Sequence, residues 1–410
     1  KKVHRRGFIV DKDTIKWLEN NLDSKEPVIR ERAARAIVEE VILMNEYGVS
    51  LRRKALTELR DFLKQKKRGA ISGQVDLHMH TNHSDAYITA TALVIEAYEQ
   101  GLDVMAVTDH ECLVSDEAIA AAKILGVKLV GGVEATCLFD NTELHLVIHV
   151  DPARFKTARL SDEGRRVLKK LTAMDHEAGE RAEQIRRNMA EILGTEYEVS
   201  RGEMQAASRG KCVPMSPCNA LWKKNKKAIK KLLPGAKDGK SFLVDYLKKD
   251  PRPIYVPAAQ ALTIQDAALL AHELGGKIMI AHPNELSKKR DNQEALARFE
   301  KLLKALHSVE INGQTIAGVV GGVEVYSHKA KRSGIQDDVG RVIDRMNVRL
   351  YQDSPLKKLV GTDYHGKYSQ KKEPMGNKGN YPEDDSEIKA YVDEVLGVEE
   401  KAWQCILEAA

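Results

Sequence analysis

Residues 75–85 constrain the fold more than any other stretch, because they place His78 and His80 at the end of a short apolar run. On a β-strand, residues two apart point to the same face, so both imidazoles would project to one side of a sheet. Neutral imidazole is the commonest metal ligand among side chains. Taken alone the pair is a weak signal, since two surface histidines at a strand end are an equally good interpretation.

Further apolar runs along the chain end in similar side chains. Runs typical of buried strands cover residues 104–110, 128–134, 144–150, 276–283, 321–327 and 358–365, and helical patterns cover 90–100 and 115–125. With the run from Val75 they predict seven strands. The candidate ligands at their ends are His78, His80, Asp85, His110, Glu134, His145, His282, Asp363 and His365. In parallel α/β barrels the C-terminal strand ends form the active face, so these groups are expected to meet there.

Composition narrows the class of protein without identifying it. At 410 residues the chain exceeds the usual size of a single core, which favours a large α/β domain with additions or two domains. A net charge of +5 fits a phosphate-bearing partner. The five cysteines are scattered, odd in number and lack C-x-x-C pairs, so a reducing cytoplasm is expected. No long apolar run or charged-then-apolar leader is present, so no membrane partner is expected.

The domain organisation is predicted from changes in periodicity. An N-terminal helical extension (1–70) is expected to form a helical hairpin, with Ser24 capping the first helix, Gly48 ending it and residues 66–69 ending the second. The barrel is expected in two parts, at 71–153 and 259–384. A helical cap insertion (154–258) separates them. Helices at 385–410 are expected to close the barrel or to pack on the extension.

Six motifs carry a resemblance to a known family. D-L-H-x-H-T-x-x-S-D, T-D-H, G-V-E, E-L-H, A-H-P and G-T-D-Y-H match, in order and spacing, those of the PHP (polymerase and histidinol phosphatase) superfamily of metal-dependent phosphoesterases. The resemblance covers about residues 75–150 and 272–370. It implies an α/β fold, a distorted (βα)7 TIM-like PHP barrel, and two or three divalent metal ions.

The resemblance also implies how the ligands divide. His78, His80, Glu134 and Asp363 would hold one ion, and Glu134 would bridge to a second ion held by His145 and His282. Asp85, His110 and His365 would hold a third. The implied catalytic residues are Glu134, Asp363 and His365. Mixed nitrogen and oxygen ligands suit Mn²⁺, Zn²⁺ or Fe²⁺ about equally.

The insertion points to a branch of the superfamily. Arginines at 181–187 and the segment 241–257 are similar to the cap of the TrpH/YciV-like branch, which acts on nucleotides and trims short RNA. This chain departs from that branch at Arg209, where an Arg-x-His is expected and Arg-Gly-Lys stands instead. Basic residues on such a cap often form only a solvent-exposed face. The alternative is contact with substrate phosphate, for which the weak candidates are Arg186, Arg187, Arg209, Lys211 and His328.

Other polar residues have supporting interpretations. Asp109 and Glu324 lie at or near strand ends and are expected to orient metal ligands. His149 is expected to be a core histidine rather than a ligand. His83, inside the first motif, has no counterpart in the family pattern and is interpreted as a polar neighbour of the site.

Several functions fit these patterns. The favoured one is a metal-dependent phosphatase acting on nucleotides such as AMP or 3′,5′-bisphosphonucleotides. One alternative is a 5′-to-3′ exonuclease that trims short single-stranded RNA or DNA, although an aromatic content of 5% argues against a long base-stacking groove. A histidinol-phosphatase-like enzyme is another, and a non-catalytic scaffold is the least favoured because every expected ligand position is filled.

Overall fold

The computed structural model describes residues 11–65, 74–155, 157–208, 210–287, 291–366, 375–377 and 380–397. Within these ranges no helix combines the length and the hydropathy needed to cross a membrane. The four cysteines in the described part, Cys112, Cys137, Cys212 and Cys218, are free thiols. Cys405 lies outside it.

The N-terminal extension consists of three helices: the second and third correspond to the predicted hairpin, and the first was not predicted. They are α1 (Lys12–Leu22), α2 (Pro27–Glu40) and α3 (Glu46–Gln65). Glu26 precedes α2 as its cap residue, without a side-chain cap bond, so Ser24 does not serve as the cap. Gly48 lies inside the first turn of α3, where an added Cβ would come within 2.3 Å of the Leu43 carbonyl oxygen. Gly48 thus allows close packing and does not end a helix. The predicted terminator at 66–69 lies outside the described residues.

A buried ion pair joins the extension to the barrel. Arg52, 1% exposed on α3, donates from Nε and Nη2 to the two carboxylate oxygens of Glu117, at 2.7 Å each. Its Nη1 donates to the carbonyls of Val41 and Leu43. Thr91 adds a hydroxyl donor to Glu117 at 2.7 Å. Since nearly every polar atom is satisfied, the pair fixes the extension in one position on the barrel.

The barrel is a nearly closed sheet of seven strands, which confirms the predicted fold class. Its path runs β1 (Val75–Asp76), β2 (Val104–Val107), β3 (Lys128–Phe139), β4 (Thr142–Val150), β6 (Lys277–Ile280), β9 (Val320–Tyr326) and β10 (Lys357–Val360), and β5 (Leu262–Thr263) pairs with β3. Helices α4 (Ala90–Gln100) and α5 (Asp116–Leu125) connect the first three strands. A parallel bridge between Met79 and Tyr364 links the two ends of the path above β1 and β10.

The expectation that every candidate ligand follows a parallel strand is wrong for two of them. Strand β4 runs antiparallel to β3 and β6, and Glu134 lies in the middle of β3 rather than at its end. Asp140 and Asn141 form the connecting turn with positive φ of 51° and 55°, the conformation that two-residue hairpins favour. Because β4 runs backwards, His145 near its start lies at the same end of the barrel as the C-terminal ends of the parallel strands.

The insertion folds into a helical cap with its own apolar core. After α6 (Pro152–Phe155) come α7 (Asp162–Asn188), α8 (Arg201–Ser208), α9 (Ser216–Leu232) and α10 (Gly239–Phe242), packed around residues such as Ile185, Leu221 and Phe242. The cap contacts the loop after β1: the Lys211 amide donates to the Asn82 carbonyl at 3.0 Å, and Asn219 bonds the Tyr87 hydroxyl at 3.2 Å. The cap therefore lies beside the mouth of the barrel.

The remaining elements complete the outer layer. They are α11 (Ile264–Glu273), α12 (Asn292–His307), the small hairpin β7 (Glu310–Ile311) and β8 (Gln314–Thr315), α13 (His328–Ser333), α14 (Gln336–Arg349) and α15 (Ser386–Leu396). Helix α15 packs on the barrel through buried Ile388, Tyr391 and Val395. The second helix predicted near the C-terminus falls outside the described residues.

Breaking the Arg52–Glu117 pair on one side is expected to destabilise the protein. Arg52→Met and Glu117→Gln should each lower the free energy of unfolding by about 3 kcal/mol, because each leaves a buried group unpaired. Chemical denaturation would measure the loss. Lys54→Met, which removes a mostly exposed partner of Asp23, is the control and should cost less than about 1 kcal/mol. Equal effects of Arg52→Met and Lys54→Met would contradict the anchoring role.

Candidate metal centre

The chain that follows β1 positions the first two ligands. His78 and His80 are both fully buried, and their Nε2 atoms lie 3.1 Å apart. Asp76, on the same face, accepts hydrogen bonds from Thr362 Oγ1 at 2.6 Å and from the Gly376 amide at 3.0 Å. This carboxylate ties β1 to the segment after β10, which carries Asp363 and His365. Burial raises the pKa of Asp76 to about 6, partly offset by these bonds.

Glu134 lies at the centre of the cluster. Its Oε2 lies 3.2 Å from His78 Nε2, 3.1 Å from His80 Nε2 and 3.2 Å from His110 Nδ1. Its Oε1 lies 2.9 Å from both His145 Nδ1 and His282 Nε2. Strand β3 continues past the end of β2, whose last residue pairs with Gly131, so a residue in mid-strand reaches the level of the loops. Five imidazoles from four segments of the chain thus surround one carboxylate.

Two further carboxylates border this cluster. Asp363 Oδ1 lies 3.1 Å from His80 Nε2 and 3.9 Å from His78 Nε2. Asp85 Oδ1 lies 2.9 Å from His365 Nε2 and 3.9 Å from His110 Nε2. Three groups each offer ligand atoms within 4.8 Å of one another: His78, His80, Glu134 and Asp363; His80, Asp85 and His365; and His110, Glu134 and His145. His110 is thus closer to Glu134 than to Asp85, and the structure places it between two groups.

The donor atoms fit divalent metal ions. Within the described residues, buried Glu134 Oε2 and His80 Nδ1 form no hydrogen bond, although Glu134 Oε2 has three imidazole nitrogens within 3.2 Å. Imidazole nitrogens and carboxylate oxygens that converge on one point are the arrangement that a cation satisfies. The mixture of imidazole and carboxylate ligands suits Mn²⁺, Zn²⁺ or Fe²⁺.

The electrostatics of the cluster follow from this crowding. Burial alone would raise the pKa of Glu134, but His110, His78 and His145 outweigh it and hold that pKa well below its usual range. Burial would lower the pKa of the imidazoles, yet carboxylates raise the pKa of His80 and of His145 to about 9. His110 is the exception, because burial dominates and lowers its pKa to about 3.

The backbone is strained at three positions in or beside the cluster. Glu111, His282 and Asp363 have positive φ of 51°, 27° and 53°, which side chains with a Cβ rarely adopt. Such conformations persist only where the surrounding structure imposes them, and they concentrate at functional sites. The strain therefore supports the interpretation of a functional centre.

The predicted supporting residues have distinct roles. Glu324 Oε2 lies 2.8 Å from His78 Nδ1 and fixes the ring of that ligand. Asp109 instead accepts from the Thr81 amide, the Thr81 hydroxyl and the Ser84 hydroxyl, so it shapes the loop that leads to Asp85. His149 contacts Tyr391 Oη and the Leu77 carbonyl at 2.8 Å each, below the centre. Burial lowers the pKa of His149 to about 3, as suits a neutral core histidine.

Of the weak candidates for substrate contact, three pair with carboxylates within the cap, one begins α13 and one is outside the described residues. Arg186 and Arg187 both pair with Glu183 within the cap, and Lys211 pairs with Asp175. Arg209 is outside the described residues. His328 begins α13, directly after β9, and is half-buried. His83 is half-buried in the loop after β1.

Two residues beside the centre were missed by the sequence analysis. Lys329 Nζ lies 2.7 Å from Asp363 Oδ2 and 3.0 Å from Glu285 Oε1. Glu285 Oε2 in turn lies 3.4 Å from His282 Nδ1. Burial would lower the pKa of Lys329, but Asp363 and Glu285 outweigh it and raise that pKa well above the usual range. The available signal was position: Lys329 follows β9 at the active end, and Glu285 lies three residues after His282.

Comparisons with known proteins agree with this architecture. A family model described as the PHP domain matches residues 76–243. The 5′-3′ exoribonuclease Rnm of Salmonella typhimurium is 29% identical over 225 residues, 51% of this chain and 64% of that protein. The 3′,5′-nucleoside bisphosphate phosphatase of Chromobacterium violaceum is 35% identical over 81 residues, 19% of this chain and 28% of that protein. Both matches cover less than two thirds of the relative.

A solved structure shares the fold. The crystal structure described as a metal-dependent phosphoesterase from Bifidobacterium adolescentis superposes with a TM-score of 0.54 at 18% identity, covering 82% of this chain and 99% of that one. Barrel, motifs and family model define the class: a mixed α/β protein built on a PHP-like barrel. The PHP-domain model covers less than half of the chain, and it is similar to the part that carries the first motifs of the resemblance.

Metal content gives a direct test of the centre. Protein prepared with Mn²⁺ should carry two or three ions per chain by elemental analysis, and a hundredfold excess over Kd should stabilise it by about 2.7 kcal/mol. Glu134→Gln should lose most of both effects, because Glu134 contacts five of the candidate ligands. Glu143→Gln, on the exposed face of β4, is the matched control. Fewer than one ion per wild-type chain would contradict the assignment.

Metal binding should release protons. His80 and His145 have pKa values raised to about 9, so at about pH 7.5 they carry protons that an ion must displace. The apparent affinity should therefore increase as the pH rises from about 7 to 9 and level off above that. Calorimetric titration with Mn²⁺ in buffers of different ionisation enthalpy would measure the released protons. Zero release at about pH 7.5 would show that these imidazoles are neutral in the metal-free protein.

Proposed function

We propose that this protein is a metal-dependent phosphoesterase that hydrolyses phosphate esters of nucleotides. The carrying observation is the position of Glu134, whose two carboxylate oxygens each face at least two imidazoles of different strands and loops. Such a carboxylate can join neighbouring metal sites. When bound, divalent ions supply positive charge for phosphate oxygens and make a water molecule more acidic, which phosphoester hydrolysis requires.

The protein's own residues hold and shield such a centre. His78 is fixed by Glu324, and Asp363 is held between His80 and Lys329. Full burial of His78 and His80 keeps water from one side, whereas His110 and His145 remain about one fifth exposed and face the opening. Of the three implied catalytic residues, we assign to Glu134 the role of connecting neighbouring groups of candidate ligands. Asp363 and His365 would complete the groups on either side of it. The substrate would enter from the side of His110 and His145.

Two substrate classes are supported, and a small nucleotide is our first choice. The relative from C. violaceum is named a bisphosphate phosphatase, and the cap stands beside the barrel mouth, where it limits the size of what enters. AMP, 3′,5′-bisphosphonucleotides and histidinol phosphate represent this class.

A short RNA strand is the second candidate. The S. typhimurium relative is named an exoribonuclease, and helix α9 exposes Lys226, Lys227 and Lys230. A strand guided by these lysines would add phosphate contacts outside the barrel. Each contact should steepen the loss of affinity with added salt.

A screen with Mn²⁺ would test the function. AMP, a 3′,5′-bisphosphonucleotide, histidinol phosphate and a short 5′-phosphorylated RNA would be compared by release of phosphate and of mononucleotide. His282→Ala and Asp363→Ala should each lose at least about 100-fold in turnover, since even groups that only support a ligand account for 10 to 100-fold. His272→Ala, an exposed histidine on α11, is the control. Turnover like wild type by either folded ligand variant would refute the proposal.

Salt dependence would separate the two substrate classes. If RNA is the substrate, replacing Lys226, Lys227 and Lys230 with glutamine should weaken RNA cleavage and flatten its salt dependence by about 0.7 in slope for each lost phosphate contact. AMP hydrolysis should be unchanged by the same variant. An unchanged slope with RNA would favour the small substrate.

A further inference from the structure

Lys329 places a positive charge against the candidate metal centre. Its side chain is only 15% exposed, and its Nζ lies 2.7 Å from Asp363 Oδ2 and 3.0 Å from Glu285 Oε1. The residue stands in the first turn of α13, where Ser327 accepts a hydrogen bond from the Ala330 amide. The partial positive charge at the start of a helix disfavours a cation, so the helix itself does not account for the position of Lys329.

Asp363 connects this lysine to the candidate ligands. One carboxylate oxygen, Oδ1, faces His80 at 3.1 Å, and the other, Oδ2, is taken by Lys329. Glu285 forms a second connection, because it contacts both Lys329 and His282. The ammonium group therefore borders the centre on the side formed by Asp363 and His282.

The cap cations are placed differently. Arg186, Arg187 and Arg201 all pair with Glu183, and Lys211 pairs with Asp175, so the contacts of these four cations are with carboxylates of the cap. Lys329, by contrast, contacts a candidate ligand directly. A phosphate ester bound at the centre brings about two negative charges, which a nearby ammonium can bind as a point charge.

Stability alone gives a poor account of Lys329. Moving an ammonium group into a largely buried position costs free energy, and buried ion pairs often contribute little net stability over apolar residues of similar size. A lysine that only filled space between α13 and the segment after β10 would need no contact with a candidate ligand. The two carboxylates instead hold the ammonium at the edge of the site.

We propose that Lys329 is a substrate-binding residue whose ammonium group contacts the phosphate of the substrate at the metal centre. Asp363 and Glu285 position the ammonium for this contact. The inference deepens the proposed function, on which it rests, and it shifts the expected phosphate contact from the cap to the rim of the barrel.

Binding of inorganic phosphate to the Mn²⁺-loaded protein would test this role. Calorimetry should show that Lys329→Met weakens phosphate binding by about tenfold or more, as expected for a lost charge-assisted hydrogen bond. Lys329→Arg should recover part of the affinity. Lys358→Met is the matched control, because Lys358 pairs with Asp344 at the start of β10, away from the centre. With the best substrate, KM should rise more than kcat falls.

Saturation with metal distinguishes two roles for Lys329, contact with phosphate and positioning of Asp363. Each variant would be titrated to saturation with Mn²⁺ before phosphate is added. If saturated Lys329→Met binds phosphate as tightly as wild type, Lys329 only positions Asp363 and the inference is overturned. The same conclusion follows if saturated wild type binds no phosphate. Should Lys329→Met not fold, Lys329→Gln, which keeps a donor for Asp363, takes its place.

The same data distinguish this inference from the proposed function. If wild type binds phosphate, Lys329→Met binds it at least tenfold more weakly, and no ester in the screen is hydrolysed, the proposed function fails while the phosphate contact stands. If esters are hydrolysed and Lys329→Met changes neither KM nor phosphate affinity, the phosphoesterase stands and the role of Lys329 fails.

Discussion

The arrangement of the barrel depends on one buried carboxylate. Glu134 is almost wholly inaccessible, and burial of an isolated carboxylate would cost several kcal/mol or more. The cost is met by five imidazole nitrogens within 3.2 Å, contributed by β1, β2, β4 and β6 or the loops beside them. Since these elements are far apart in sequence, the carboxylate contacts all five imidazoles only once the sheet has closed. The fold and the candidate centre are therefore mutually dependent: the sheet brings the imidazoles together, and the imidazoles contact the carboxylate at its middle.

The reversed strand makes this geometry possible. In a purely parallel sheet each strand brings only its last residues to the active end. The hairpin of β3 and β4 rises above the rim and returns, so one continuous piece of sheet offers Glu134 on its way up and His145 on its way down. Their residues are diagonal neighbours across the hairpin, which is why Glu134 Oε1 and His145 Nδ1 meet at 2.9 Å. The hairpin also gives these ligands the rigidity of paired strands.

Sequence reasoning located the strands but not their direction, because a buried strand has the same apolar pattern in either direction. The missed signal was length: the predicted strands 128–134 and 144–150 are separated by residues 135–143 alone, and a parallel crossover needs about a dozen residues. In the structure only Asp140 and Asn141 separate β3 from β4. Residues whose position follows from strand ends were predictable, whereas Lys329 and Glu285 reach the centre through a short helix and a 3₁₀ turn. Gly48 was misinterpreted for a similar reason, since its role is a contact with Leu43 that local pattern does not reveal.

The cap and the barrel differ in how their charged side chains are paired. The cap carries many basic residues, but its arginines converge on Glu183, and that shared carboxylate has its pKa lowered to about 2, first by Arg186 and then by Arg201 and Arg187. The network joins α7 to α8, because Arg201 lies on α8 and Glu183 on α7. The cap contacts the barrel through neutral groups, the Asn82 carbonyl and the Tyr87 hydroxyl, and also through Arg166 and Lys170, which pair with Asp266 on α11. The charged groups described at the candidate centre, Lys329 among them, belong to the barrel.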